Sequence, residues 1–367
     1  MSQSRNLRRA ITLSTLLLGA SAGVMFAGDA STADVNGQLG AHRYTLSVNG
    51  GPAGSLKSFA GGFAEAEVVS NVLGPTKLPS KHIASPKVGN ASVQAYMDDS
   101  TELPALIDST LSFSDAPKNL ALVACNTQES ELFDQSLTNA RVREVTFPGL
   151  DVQGSGYAIM TVGLAAERSV TAWHSTANCP KVQAVPTTER ATNSSFRVEL
   201  DGIDTSGVVV VEPFTVKATL AEQDPSQLSS RSSGQTLASV EIPNLVFTIT
   251  SSKADGFVSW FQDSVVNGNA TEKNGAIVLL NQDRSKELSR ISLSGVGIFA
   301  LSIGNDDAGI SRFKAKLYVE GMRYSVGGAP PVAVKRQLNK VANLKSESLG
   351  GGKAITAPAK PKPKPKK

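Results

Sequence analysis

The same order of strand, helix and turn signals runs twice through this 367-residue chain. Tyr44-Thr45-Leu46-Ser47-Val48 alternates and ends on Asn49-Gly50, and Phe196-Arg197-Val198-Glu199-Leu200 alternates and ends on Asp201-Gly202. Ala121-Leu122-Val123-Ala124-Cys125-Asn126 answers Ala276-Ile277-Val278-Leu279-Leu280-Asn281, and the strand pattern at 157–170 answers that at 313–326. The offset drifts only from 152 to 156 residues. Two copies of one domain are the reading, and a duplicated domain without conspicuous chemistry points to a building block rather than a catalyst.

The residues within each copy predict a mainly β fold. Val, Thr, Ser, Ile and Leu cluster in short alternating runs between Gly- and Pro-rich turns. In the second copy the strands are read at 196–200, 207–220, 245–250, 276–280, 291–293, 297–303 and 313–318. One helix interrupts each set. Phe257, Trp260, Phe261 and Val265 repeat at helical spacing within 253–267, as do Leu103, Leu106, Ile107 and Leu111 within 102–111. The expected architecture is two tandem antiparallel β-sandwich or barrel domains, each with one short helix. The segments 50–55 and 75–87, with counterparts at 202–206 and 222–236, look too polar for a core and are expected to form interaction arms.

The domain organisation follows. Residues 1–22 read as a signal peptide: Arg5, Arg8 and Arg9 precede an apolar run at 10–19, and Ala20-Ser21-Ala22 supplies the small residues of a cleavage site. A retained membrane anchor is the weaker reading, because Gly, Ser and Thr dilute the run. Residues 23–40 are a flexible segment, 41–172 the first β domain, 173–195 a connector and 196–327 the second β domain. Residues 328–367 are a Gly/Ser-rich linker ending in a Lys-Pro tail that favours an extended chain. Export, to the periplasm, the cell surface or the medium, is the expected localisation, with no stable membrane anchor once the leader is removed.

Charge excludes one function class. The leader and the tail from Lys353 carry nine of the 36 basic residues, so the folded body holds 27 against 32 acidic ones. A nucleic-acid-reading body is not expected, while the tail could hold an anionic polymer. Cys125 and Cys179 are the only cysteines. In an exported chain they form one disulfide, or Cys125 is a buried small hydrophobe and Cys179 a loop thiol; spacing does not decide between these.

The residues offer no catalytic, cofactor or metal site. His42, His82 and His174 lie far apart, without companions at ligand spacing. Asn305-Asp306-Asp307 lacks the alternate oxygens of a calcium loop and reads as a hairpin turn. Gly50-Gly51-Pro52-Ala53-Gly54 lacks the Lys-Ser/Thr and helix of a phosphate cradle. Asp108 and Asp263 read as solvated helix positions, with Asp263 the one nearer a packing junction. Trp260 reads as core, and Trp173 as a contact point or a lid. The chain is not expected to be an enzyme.

The second copy resembles the phage tail-tube family of contractile tails and injection machines. The residues that carry the resemblance are Phe196-Arg197-Val198-Glu199-Leu200-Asp201-Gly202-Ile203, Phe257-Val258-Ser259-Trp260-Phe261-Gln262-Asp263 and Lys273-Asn274-Gly275-Ala276-Ile277-Val278-Leu279-Leu280-Asn281. The resemblance covers roughly 130 residues of the second half and reaches the first half only through the repeat. It implies two-sheet β folds that assemble as six-membered rings stacking into a tube. A tandem chain would then supply six domains from three copies, a trimeric pseudo-sixfold ring. The strands expected to line the contacts are 207–220 and 313–319, with 59–70 and 157–163. The leader, the duplication and the Lys-Pro tail depart from the family pattern. The alternative is a secreted monomeric β-sandwich binding protein or adhesin for a polysaccharide or cell-surface polymer.

Overall fold

The computed structural model describes residues 41, 43–72, 79–98, 102–173, 178–182, 185, 189–222, 234–305 and 309–327. The leader, His42, His174, Asp306, Asp307 and the linker with its Lys-Pro tail lie outside the described residues. No helix among the described residues is long and apolar enough to cross a membrane.

The first half contains β1 (Arg43–Val48), β2 (Gly51–Gly61), β3 (Ala64–Val72), β4 (Pro79–Val88), β5 (Ala91–Tyr96), the helix α1 (Glu102–Leu111), β6 (Lys118–Cys125), β7 (Glu131–Phe147), β8 (Leu150–Asp151), β9 (Ile159–Ala165) and β10 (Arg168–Trp173). The second contains β11 (Phe196–Leu200), β12 (Val208–Val211), β13 (Phe214–Glu222), β14 (Gln235–Glu241), β15 (Leu245–Thr250), the helix α2 (Asp255–Phe261), β16 (Lys273–Leu280), β17 (Glu287–Asn305) and β18 (Ser311–Val326). The fold is mainly β, with a closed six-stranded barrel and a half-barrel sheet.

The barrel runs β7-β6-β1-β2-β5-β9 and closes through β9 back onto β7. Its closure depends on a local turn. Val48 pairs with Gly51 across a two-residue loop, and both loop residues take positive φ, Asn49 at 49° and Gly50 at 84°. This is the Asn-Gly conformation whose twist matches antiparallel strands. Of the pair Asp201-Gly202 in the second half, only Gly202 has positive φ, at 73°. The chain there makes a single bridge, Leu200 to Ile203, and β12 does not return beside β11. The second sheet therefore stays open, in the order β11-β16-β17-β18-β15-β12-β8. An Asp-Gly pair that reads like Asn-Gly is a looser turn here, and a half-barrel replaces a barrel.

The residues at 50–55 correct one expectation. They are not an arm: β2 begins at Gly51, and Ala53 is buried in the core. The arm is the next hairpin, β3 with β4, a two-stranded sheet of its own. In the second half β13 and β14 pair as an antiparallel hairpin of similar register pattern.

Corresponding irregularities recur in the two halves. The β2–β5 ladder has a bulge between Leu56 and Ser58, and the β12–β15 ladder has one between Val208 and Val210. The β7–β9 ladder breaks between Val142 and Glu144, and the β17–β18 ladder between Ile298 and Ala300. A bulge needs one extra residue at a defined place, so these positions give a register for comparing the halves residue by residue.

Each helix buries its apolar face, α1 between the two sheets against β18 and β7, and α2 against β17. Leu103, Leu106, Ile107 and Leu111 of α1 are buried. Phe257 and Trp260 of α2 are buried, and the Trp260 Nε1 donates to the Thr271 carbonyl at 3.0 Å. The indole is thus core with its one donor satisfied. Cys125 and Cys179 form a disulfide, with Cα atoms 6.0 Å apart, that ties the end of β6 to the connector.

Candidate assembly interface

The densest polar and aromatic contacts between the two halves of the chain form a joint, and it starts from a mismatch of strand lengths. β7 has 17 residues and β6 only 8. β6 covers β7 no further than Ala140. The rest of that side would be an open edge, with unpaired amides and carbonyls. β13 fills it, with Phe214 opposite Phe147, Thr215 opposite Thr146, Val216 opposite Val145 and Lys217 opposite Glu144.

The side chains follow the pleat. Phe147 and Phe214 face the core with ring centroids 5.0 Å apart, and Tyr324 meets Phe147 edge-on at 5.6 Å. On the opposite face the hydroxyls of Thr146 and Thr215 lie 2.8 Å apart, and Lys217 stands across from Glu144. Burying two aromatic rings stabilises such a contact by about 2 kcal/mol each. Aromatic, hydroxyl and opposite-charge cross-strand pairs each add a little more.

A second strut crosses beside it. The Asp108 carboxylate on α1 accepts from Arg323 Nε at 2.6 Å, from its second guanidinium nitrogen, and from the Tyr324 amide at 3.1 Å. These hydrogen bonds to Asp108 hold the Arg323 guanidinium above its ordinary pKa, against the opposing effect of burial. The Tyr324 hydroxyl donates to the Met97 carbonyl at 2.7 Å. Burial is the main cause that pushes this phenol far above its ordinary range. Arg141 completes the joint, bound by Asp115 at 2.7 Å and Glu167 at 3.0 Å. Those same carboxylates accept from the amides of Leu237 and Gln235 on β14. The small cleft lined by Thr110, Asp115, Arg141, Leu220 and Leu237 lies in this joint, and its polar groups are already engaged with one another.

The expected contact strands divide. The stretch 207–220 is two strands, broken at Glu212-Pro213, and its second part is the joint itself. The stretch 59–70 runs into the arm strand β3. The stretches 157–163 and 313–319 are corrected: β9 lies between β5 and β7, and β18 as far as Leu317 between β17 and β15, so neither strand offers an edge over those residues. Asp108 is also corrected, since it binds across the joint instead of facing water. Asp263 is exposed and accepts from Asn269 at 3.0 Å. Trp173 is exposed at the end of β10, its ring 5.2 Å from Phe133. His82 is exposed on β4, and no group of three His, Cys, Asp or Glu side chains among the described residues is placed to hold a metal ion.

No family model and no curated protein matches the chain. Solved structures are similar to part of it. A chain of the PVC sheath–tube complex, from an extracellular contractile injection system in the extended state, has a TM-score of 0.34 and 19% identity, covering 39% of this chain and 100% of that one. A chain of the anti-feeding prophage cap, which terminates its tube, has a TM-score of 0.32 and 15% identity, covering 40% and 99%. Hcp1 from Flavobacterium johnsoniae has a TM-score of 0.23 and 12% identity, covering 36% and 96%.

Proposed function

We propose that this chain is a tail-tube-like structural subunit, two copies of one domain in tandem, that self-assembles into a ring or tube outside the cytoplasm. One observation carries the reading: the halves join head to tail. The first half contributes the β7 edge and α1, and the second contributes β13 and β18. Different surfaces meet, so the contact is heterologous, and a heterologous step between like units repeats until it closes a ring or extends a filament. Support for like units comes from the shared element order and the matching bulges. The resemblance of the second half to tail-tube sequences supplies the size of the ring: six domains, hence three chains.

The leader-like pattern at 1–22 supports the part of this reading that sets the assembly outside the cytoplasm, and the five lysines at 358–367 support a tail that tethers it to anionic polymers. Light scattering on the purified mature protein, with negative-stain microscopy, tests the reading. The expected result is a particle of three chains, or stacks of them. A monomer at high concentration would overturn it in favour of a secreted binding protein.

A further inference from the structure

The in-chain joint uses one acceptor edge and one arm, and the chain holds a second of each that it does not use. The shared bulge places Glu144 in correspondence with Ala300, so residues 144–147 of β7 correspond to 300–303 of β17. β17 pairs along that stretch with β18 on one side. On the other side β16 reaches only Val296, and no further strand follows among the described residues. The arms correspond as well. Ala64 opposite Val88 matches Lys217 opposite Glu241, and the β3–β4 and β13–β14 ladders are irregular at matching places. β3 pairs with β4 alone.

The exposed apolar side chains sort onto these surfaces. Phe147 is 1% exposed beneath β13, whereas its counterpart Ile303 is 64% exposed, with Phe299 beside it at 41%. On the unused arm Phe63, Val68 and Ile83 are exposed. The second strut has an empty counterpart too. Continuing the β7 pairing sets Val170 and Thr171 of β10 where Arg323 and Tyr324 stand in β18. Val170 and Trp173 are exposed there. The π-helical turn that continues α2, Gln262–Val266, exposes Val265 and Val266. Where the in-chain joint has the Asp108–Arg323 ion pair, the unused surfaces each expose apolar side chains, Val170 and Trp173 on one and Val265 and Val266 on the other.

The geometry points to a head-to-tail contact between copies of this chain, in which the β3–β4 hairpin of one copy adds to residues 300–303 of β17 in the next. In the same step β10 of the first copy meets the Gln262–Val266 turn of the second. Both donor surfaces belong to the first half and both acceptor surfaces to the second, as one rigid step requires. Backbone pairing along the edge supplies affinity, and the apolar side chains supply register. Carrying over the in-chain register sets Ala64 opposite Ala300 and Gly61 opposite Ile303, so the two glycines Gly61 and Gly62, at φ 76° and 78° in the single chain, have to extend as the contact forms. This contact rests on the assembly reading above and gives it residues.

Cysteine pairing tests it in the full chain. Opposed residues of an antiparallel pair have Cα atoms roughly 4.5–5.5 Å apart, within disulfide range. The native cysteines are bonded to each other and buried, so they do not compete. Ala64→Cys and Ala300→Cys chains, mixed and oxidised, are expected to give a disulfide-linked dimer that neither gives alone. Ile303→Asp is expected to dissolve the assembly while leaving the melting temperature of the monomer unchanged. Assemblies of native size that give no cross-link in the mixture, or that survive Ile303→Asp, would overturn this contact and leave the assembly reading standing. A homodimer from either single variant would replace it with a symmetric contact. A native protein that is monomeric throughout would overturn both.

Discussion

Asp108 and Arg323 are 215 residues apart in the chain and meet at 2.6 Å, the carboxylate on the first helix and the guanidinium on the last strand. The carboxylate also takes the Tyr324 amide, so it caps a strand edge that β15 leaves uncovered beyond Leu317. The pair is a fastener between the halves rather than a solvated surface contact.

Removing one partner should cost more than removing both. Asp108→Ala leaves a partly buried guanidinium and a strand amide without their acceptor, and about 2 kcal/mol of stability should be lost. Arg323→Met alone should cost less. A double-mutant cycle by urea denaturation should show coupling of about 1 kcal/mol or more. Additive effects would mean that the two side chains stabilise independently.

The disulfide should matter for stability but not for the sheets. Cys125 and Cys179 pack with Val123 in a cluster separate from the main core, and the bridge closes a loop across a separation of 54 residues. Reduction, or replacing both cysteines with alanine, should cost about 2–4 kcal/mol. The far-ultraviolet circular dichroism should be unchanged. A loss of β signal on reduction would show that the connector is needed to hold β6 in place.

Much of this fold was legible residue by residue. β11, β15 and α1 have the bounds that periodicity predicts, because each carries its pattern within one layer. The misreadings share a cause: alternation tells which face a residue takes, not which sheet a strand joins. The stretch 207–220 reads as one continuous strand, yet Pro213 has no amide to donate, and the chain changes sheets there, β12 staying in the second and β13 entering the first. The stretch 313–319 is expected from sequence to line contacts, yet as far as Leu317 it is an interior strand, because its pairing partners are set by topology. Asp108 was invisible as a contact because its partner lies on the other half, and only its place off the apolar stripe of α1 set it apart. Residues 300–303 carried a signal, exposed apolar residues in a long strand, but it has meaning only beside the filled edge at 144–147.

Alkaline pH should weaken the fold through its buried phenol. The folded-state pKa of Tyr324 is raised above 10.0, chiefly by burial. A raised pKa means the fold favours the neutral phenol. That contribution is fully present below about pH 10, the unfolded value, and is lost as the pH rises beyond it. Melting temperature should hold from neutral pH to about 9.5 and then fall. Tyr324→Phe should lower stability at neutral pH by about 1 kcal/mol, through the lost bond to Met97, and flatten the alkaline fall. Some slope should remain, because Tyr44 and Tyr318 are also raised, each chiefly by desolvation. An unaltered slope in the variant would show that Tyr324 ionises without unfolding the protein.

The two halves should unfold together, because one hydrophobic cluster runs through both and Phe147 lies where they meet. The chain carries a reporter in each half: Trp173 beside Phe133 at the end of β10, and Trp260 in the α2 core. In Trp173→Phe and Trp260→Phe variants, each remaining tryptophan should report the same urea midpoint. Phe147→Ala opens a cavity at the junction of β7, β13 and β18, and should cost about 3–5 kcal/mol. It should lower both midpoints by the same amount, since neither sheet keeps its partner strand once the joint gives way. A midpoint that moves for only one tryptophan would mean that the halves fold separately and that the joint is a docking contact within the chain.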